Sequence, residues 1–226
     1  LIEGEDKAVL IDTGTRCADL DKIVGQITGK PLEVIVTHMH PDHAGCIKYF
    51  DKVWMHRADT VLVPQHAADY QGEFLYMEEG QVFDLGGRKL EVAWMPGHTP
   101  GSVVLLDKAN GDCYSGDAFG SGEVWLQCVP MSPIATFHES CCRMEKLMKE
   151  GHIKDIWCGH YPYLKSSLPL AYIQTMIRIS HRLMNGDQEG SEPYSNYFIK
   201  MPPTARKLAE GRAMIVYDST NIPEAR

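Results

Sequence analysis

No run in this sequence approaches the roughly 18 consecutive apolar residues of a membrane-spanning helix, so no membrane partner is expected. No cluster of Lys or Arg occurs and the net charge is −8. A partner with a phosphate backbone, DNA or RNA, is therefore not expected. The cysteines Cys17, Cys46, Cys113, Cys128, Cys141, Cys142 and Cys158 are odd in number and include no C-x-x-C pair. That pattern argues against a disulfide framework and for reduced, mostly buried thiols, which favours a cytoplasmic protein. No internal repeat, low-complexity tract or clear linker is visible, so residues 1–226 read as one domain with one substantial core. An initiator methionine is also lacking. The chain opens on Leu1-Ile2-Glu3-Gly4, already strand-like, and an N-terminal segment with any signal peptide is expected to precede it.

What is present alternates between two periodicities. Leu1-Ile2-Glu3 and Ala8–Ile11 flank a polar turn and predict a hairpin. Leu20, Ile23, Val24 and Ile27 fall at helical spacing, and Leu32–Val36 is an apolar, β-branched strand. A helix from Asp42 to Phe50 and a strand at Val53–His56 follow. Further strands are expected at Arg88–Trp94, Ser102–Leu106, Cys113–Ser115, Ile153–Cys158 and Ala213–Tyr217. Phe137, Cys141, Met144 and Met148 mark one helix, and Leu170, Ile173, Ile177 and Met184 mark a longer one. Interleaved strands and helices predict an α/β or layered α+β class.

Thr37-His38-Met39-His40-Pro41-Asp42-His43 places three imidazoles and a carboxylate just past a predicted strand. Neutral imidazole and carboxylate are the ligands a zinc-like ion prefers. Other segments have the same character, a polar residue beside glycine at a strand end: Asp12-Thr13-Gly14, Gly97-His98, Gly116-Asp117 and Gly159-His160. His38, His40, Asp42, His43, His98, Asp117 and His160 are too many ligands for one tetrahedral ion. They suit two ions that share a carboxylate and leave room for water.

This ordered set resembles the metallo-β-lactamase superfamily, and within it the glyoxalase II-like hydrolases, over about Leu1 to Tyr161. The resemblance implies a four-layer αβ/βα sandwich of two mixed β-sheets flanked by helices, with the site at one edge. It assigns His38, His40 and His98 to one ion, Asp42, His43 and His160 to the other, and Asp117 to both. Asp12 would orient ligands through hydrogen bonds, although a turn-forming Asp explains Asp-Thr-Gly as well. Two zinc ions are expected, with iron or manganese as alternatives.

Two cations can bring the pKa of a bridging water near neutrality, so a bridging hydroxide is the expected nucleophile. Asp42 is the expected catalytic carboxylate, ligating one ion and accepting a hydrogen bond from the nucleophile. The expected substrate is a small ester, thioester or lactone. An Asp at position 117 disfavours β-lactam cleavage by the same resemblance. Gly116-Asp117-Ala118-Phe119 departs from the glyoxalase II text, and so do the residues after His160, which makes glutathione thioesters doubtful. His40 excludes the flavodiiron branch. The competing expectations are a mononuclear iron oxidoreductase resembling persulfide dioxygenases and a non-catalytic metal-binding module.

Candidate substrate contacts are Trp125, Tyr161 and Tyr163, with core packing equally open for Trp125. The aromatic segment from Glu192 would cap the pocket or cover a sheet edge. His56, His66, His138, His152 and His181 have no ligand-like neighbour and read as structural or solvated. His66 lies in the polar loop Pro64–Gly80, a place that would border a pocket.

Overall fold

The structure is a computed structural model that describes residues 1–120, 122–161, 165–197 and 199–223. Strands β1 (Ile2–Glu3) and β2 (Ala8–Ile11) form the expected antiparallel hairpin. Helix α1 (Leu20–Ile27) returns the chain to β3 (Leu32–Ile35), parallel to β2. One helical turn, α2 (Pro41–Ala44), leads through a short 3₁₀ turn to β4 (Lys52–His56). A second 3₁₀ segment, Arg57–Leu62, and α3 (Val63–His66) precede β5 (Glu73–Met77). These five strands form one sheet in the order β1-β2-β3-β4-β5.

Next come β6 (Val82–Asp84), β7 (Lys89–Trp94), β8 (Val103–Asp107), β9 (Asp112–Gly116) and β10 (Glu123–Trp125). Helix α4 (Ile134–Lys149), β11 (Asp155–Cys158) and helix α5 (Leu170–Met184) follow. The chain closes through β12 (Glu192–Pro193), β13 (Ala205–Glu210) and β14 (Ala213–Asp218). The second sheet runs β11-β9-β8-β7-β6, and a third, smaller one runs β10-β14-β13-β12.

The alternation of side chains across each strand makes the layers. Val9 and Ile35 of the first sheet meet Leu90, Val92, Val103 and Leu105 of the second in one buried cluster. Leu10 and Val34 point the other way and pack with Val24 of α1, Met55 and Leu62. Val104 and Leu106 likewise leave the inter-sheet core and join Phe137, Met144, Ile173 and Met176 of the helical layer. Strand β8 is thus buried on both faces, which is why it reads as an unbroken apolar run. The arrangement is the expected four-layer sandwich.

Three local expectations change. The helix predicted from Asp42 to Phe50 breaks after one turn, because Gly45 and Gly14 pack backbone to backbone and Gly14 bridges Ala44. The expected loop at 64–80 contains β5, whose residues are mostly half-buried and carry no alternation. The segment after Asp117, for which no strand was expected, contains β10 paired in parallel with β14.

Leu105→Ala and Leu106→Ala, on opposite faces of β8, should each cost about 3 kcal/mol of stability in equilibrium urea unfolding. An indifferent Leu106→Ala would mean that the helical layer does not cover that face.

Candidate metal centre

Strand β2 is followed by Asp12, which adopts a left-handed backbone conformation (φ 59°), one that Asp and Asn tolerate better than other side chains. The turn aims its carboxylate across the edge of the sheet at the end of β3. Asp12 Oδ1 accepts from the Thr37 amide at 2.7 Å. Its Oδ2 accepts from Thr37 Oγ1 at 3.0 Å and from His43 Nδ1 at 2.7 Å. The Thr37 hydroxyl hydrogen is thereby committed to Asp12, and its lone pair faces His38 Nδ1 at 3.1 Å. Protons are assigned to Nδ1 of both histidines on this basis. His98 Nδ1 donates to the Trp125 carbonyl at 2.8 Å. All three rings therefore turn Nε2 towards the centre.

These nitrogens converge. His38, His40 and His98 form one group whose ligand atoms lie within 4.8 Å of one another, and Asp42, His43, Asp117 and His160 form a second. His40 Nδ1 lies 2.9 Å from His98 Nε2. Asp117 stands between the groups, with Oδ2 at 3.1 Å from His160 Nε2 and 3.9 Å from His98 Nε2. Its Oδ1 faces His43 Nε2 at 3.4 Å. Two glycines permit this crowding: a side chain at Gly116 would collide with Thr37 Oγ1, and one at Gly159 with the His43 ring. A register shift in β11 between Trp157 and Cys158 re-aims the strand just before His160.

His38 Nε2, His43 Nε2 and Asp117 Oδ1 are buried without a hydrogen-bond partner. Such atoms are costly, and three of them at one point, with this donor chemistry, fit divalent cations. The electrostatics divide the groups. Burial, and then the neighbouring imidazoles, hold His38 well below the ordinary value; burial and His98 bring His40 down to about 3. Burial lowers His98 as well. The first group is therefore neutral, the form that ligates. In the second, hydrogen bonds to Asp117 and Asp42 raise His160 to about 9. Burial opposes charge on His43, but Asp12 and Asp117 outweigh it and hold its pKa well above the usual value. Burial likewise opposes charge on Asp117, yet His160 and His43 keep it well below the carboxylate range.

All seven residues expected as ligands thus meet at one sheet edge. Asp12 acts on two of them, directly on His43 and through Thr37 on His38. The reading of residues missed Thr37 and Asp59. Asp59 is fully buried and accepts from Met39 N at 2.9 Å, Thr99 Oγ1 at 3.0 Å and Gly101 N at 2.5 Å. It ties the His38–His40 segment to the His98 loop, and nothing in its polar surroundings in sequence marks it. His66 lies beside the first group, its ring centroid 5.8 Å from that of His40. Trp125 meets the cluster through its carbonyl, while its indole donates to Glu123 at 3.0 Å. Tyr161 is exposed with its ring 5.7 Å from that of Trp157, and Tyr163 lies outside the described residues. A cavity of about 520 Å³ opens beside the second group, lined by Asp42, His43, His160, Arg88, Tyr114 and Trp157 among others.

Comparison with known proteins agrees with this geometry. A family model described as the metallo-beta-lactamase superfamily matches residues 1–138. The proteins named acyl-coenzyme A thioesterase MBLAC2 from Bos taurus and Homo sapiens are 26% identical over 200 residues, covering 71% of this chain and 71% of theirs. Hydroxyacylglutathione hydrolase of Aeromonas salmonicida (strain A449) is 27% identical over 177 residues, covering 76% of this chain and 63% of its own. Among solved structures, TTHA1623 in a di-iron-bound form matches with a TM-score of 0.58 at 26% identity, over 74% of this chain and 87% of its own.

Two outcomes are expected. Zinc binding to the metal-stripped chain should release protons at pH 7 and tighten as pH rises towards about 9, the value to which His160 is raised. The sign follows because a cation must displace protons that the second group holds below that pH; calorimetry in buffers of different ionisation enthalpy checks it. Asp12→Asn should weaken zinc binding by about 10–100-fold, the cost of losing a partner that orients a ligand. Asn preserves the left-handed turn, so unchanged affinity would reduce Asp12 to a turn former.

Proposed function

The chain belongs to the metallo-β-lactamase superfamily, and on that premise we propose that it is a dinuclear metal-dependent hydrolase of thioesters or related small esters and lactones. The observation that carries this reading is the position of Asp117, whose carboxylate lies between two adjoining ligand groups. His38, His40 and His98 would hold one cation, Asp42, His43 and His160 the other, and Asp117 both. Zinc is the proposed metal, and the di-iron form of TTHA1623 makes iron the alternative. Divalent cations bound there supply Lewis acidity to a carbonyl and lower the pKa of nearby water.

The remaining steps belong to the chain's own side chains. Asp42 is the most exposed of the seven, 45% accessible at its side chain, and is placed to accept a hydrogen bond from the nucleophile and orient it. His43 and Asp117 are nearly enclosed and serve as fixed ligands. The cavity beside the second group gives the substrate a route to the cluster. The thioester class is favoured over other acyl substrates because both named groups of relatives, the acyl-coenzyme A thioesterases and the hydroxyacylglutathione hydrolases, cleave that bond by name.

The test is metal analysis combined with turnover on a panel of acyl-coenzyme A, hydroxyacylglutathione, ester and lactone substrates. Two metals per chain and thioester hydrolysis are expected. Asp117→Asn should lose metal and rate together, by at least the roughly 100-fold that loss of an outer partner can cost. An Asp117→Asn chain with two metals and full rate would disprove the bridging role. One iron per chain with oxygen uptake on a persulfide would replace the hydrolase with a dioxygenase.

A further inference from the structure

Away from the cluster, in the helical layer, an imidazole and a thiol face each other at the spacing of a metal chelate. His138 and Cys142 lie one turn apart on α4 and so share a face. Cys142 Sγ is 3.6 Å from His138 Nε2. A tetrahedral ion bonded to sulfur at about 2.3 Å and to imidazole nitrogen at about 2.0 Å spreads those atoms roughly 3.5 Å apart.

The tautomer of His138 is set from the neighbouring helix. Ser180 of α5 donates its hydroxyl hydrogen to the Met176 carbonyl at 2.7 Å. Its oxygen lone pair is left for His138 Nδ1–H at 2.9 Å. His138 therefore turns a bare Nε2 towards the sulfur, the same device by which a metal-binding histidine is oriented through its other nitrogen. His181, the next residue of α5, is solvent-exposed, with its ring centroid 6.0 Å from that of His138 and Asn185 Nδ2 3.4 Å from both its ring nitrogens. Desolvation, and then the charges of Glu145 and Glu139, raise the pKa of the largely exposed Cys142 thiol. The pair at rest is thus a neutral thiol donating to a neutral imidazole. That state is ill suited to a free nucleophilic thiolate, and a cation must displace the thiol proton to bind.

We propose that His138 and Cys142 of α4, with His181 of α5, form a second metal site for a thiophilic divalent ion such as zinc. Binding breaks the S–H bond, sends the proton to solvent and forms a sulfur–metal bond, with no change of oxidation state. The grouping leaves little trace in the sequence, because one partner of His138 is four residues away and the other is on a different helix. The buried side of α4 supports the catalytic edge: Ser140 Oγ donates to the Pro96 carbonyl at 2.7 Å, and Phe137 packs on Gly97, next to His98. An ion here would tie that helix to α5.

The inference does not rest on hydrolase activity, and a cobalt titration separates it from the His/Asp cluster, which contains no sulfur ligand. Cobalt(II) added in excess to the metal-free chain should produce a near-ultraviolet thiolate-to-cobalt charge-transfer band, which the sulfur-free cluster cannot give. The band should vanish in Cys142→Ser and His138→Ala. Ser180→Ala and His181→Ala should each weaken cobalt binding by about tenfold or more. Thioester turnover of the zinc-loaded Cys142→Ser chain should be unchanged. A wild-type chain with no band, or a band that survives Cys142→Ser or His138→Ala, would overturn the site. Zinc should also protect Cys142 from iodoacetamide; rapid labelling that zinc does not slow would make Cys142 a base-assisted nucleophile instead and refute the proposal.

Discussion

A carboxylate that accepts hydrogen bonds at both oxygens can fix the protonation of more than one imidazole, and Asp12 does so across the edge of the first sheet. Its direct bond to His43 and its bond through Thr37 to His38 commit both Nδ1 protons. Both Nε2 atoms are then turned to the centre. Its third contact, to the Thr37 amide, ties the end of β2 to the residue that launches the histidine motif. The parallel pairing of β2 and β3 brings these two strand ends level. Register, backbone conformation and tautomer are therefore parts of one arrangement.

That arrangement concentrates unsatisfied polar atoms in the interior, which a fold tolerates only where something compensates. Two buried apolar layers flanking the first sheet, and a strand β8 buried on both faces, supply a rigid frame for it. Asp59 shows how the frame reaches the ligands. It is wholly enclosed, and burial raises its pKa against the pull of three hydrogen bonds. Those bonds join the backbone between His38 and His40 to the loop that carries His98. Ligands from two sheets are thus held in one register by a group that touches none of them.

What was legible in the sequence divides along the same line. The histidine motif, His98, Asp117 and His160, which the fold brings together, stood out because each is of a metal-ligating type beside a strand end or a glycine, a local signature. Strand β8 and helix α1 were readable from periodicity. Asp59 and Thr37 were not, because their importance lies in partners 20 to 42 residues away. Strand β5 was missed because its half-buried residues do not alternate, and β10 because three residues beside glycines resemble a loop until β14 pairs with them. The Asp42–Phe50 helix failed because the backbone contact between Gly14 and Gly45 is tertiary and leaves no periodic trace.

The family match ends at residue 138, yet the later chain reaches back into the centre at several points. His160 comes from it directly. Strand β14 holds β10 in place, and β10 contributes the Trp125 carbonyl that sets the His98 tautomer. Tyr172 of α5 donates to the Phe119 carbonyl at 2.6 Å, two residues past Asp117. Tyr194 and the Trp125 indole both donate to Glu123 on that same strand. The C-terminal segment is therefore part of the machinery that positions ligands rather than a separate cover over it. Sequence change in these late elements would alter the orientation of His98 and the loop after Asp117 together, at the same edge that carries His160.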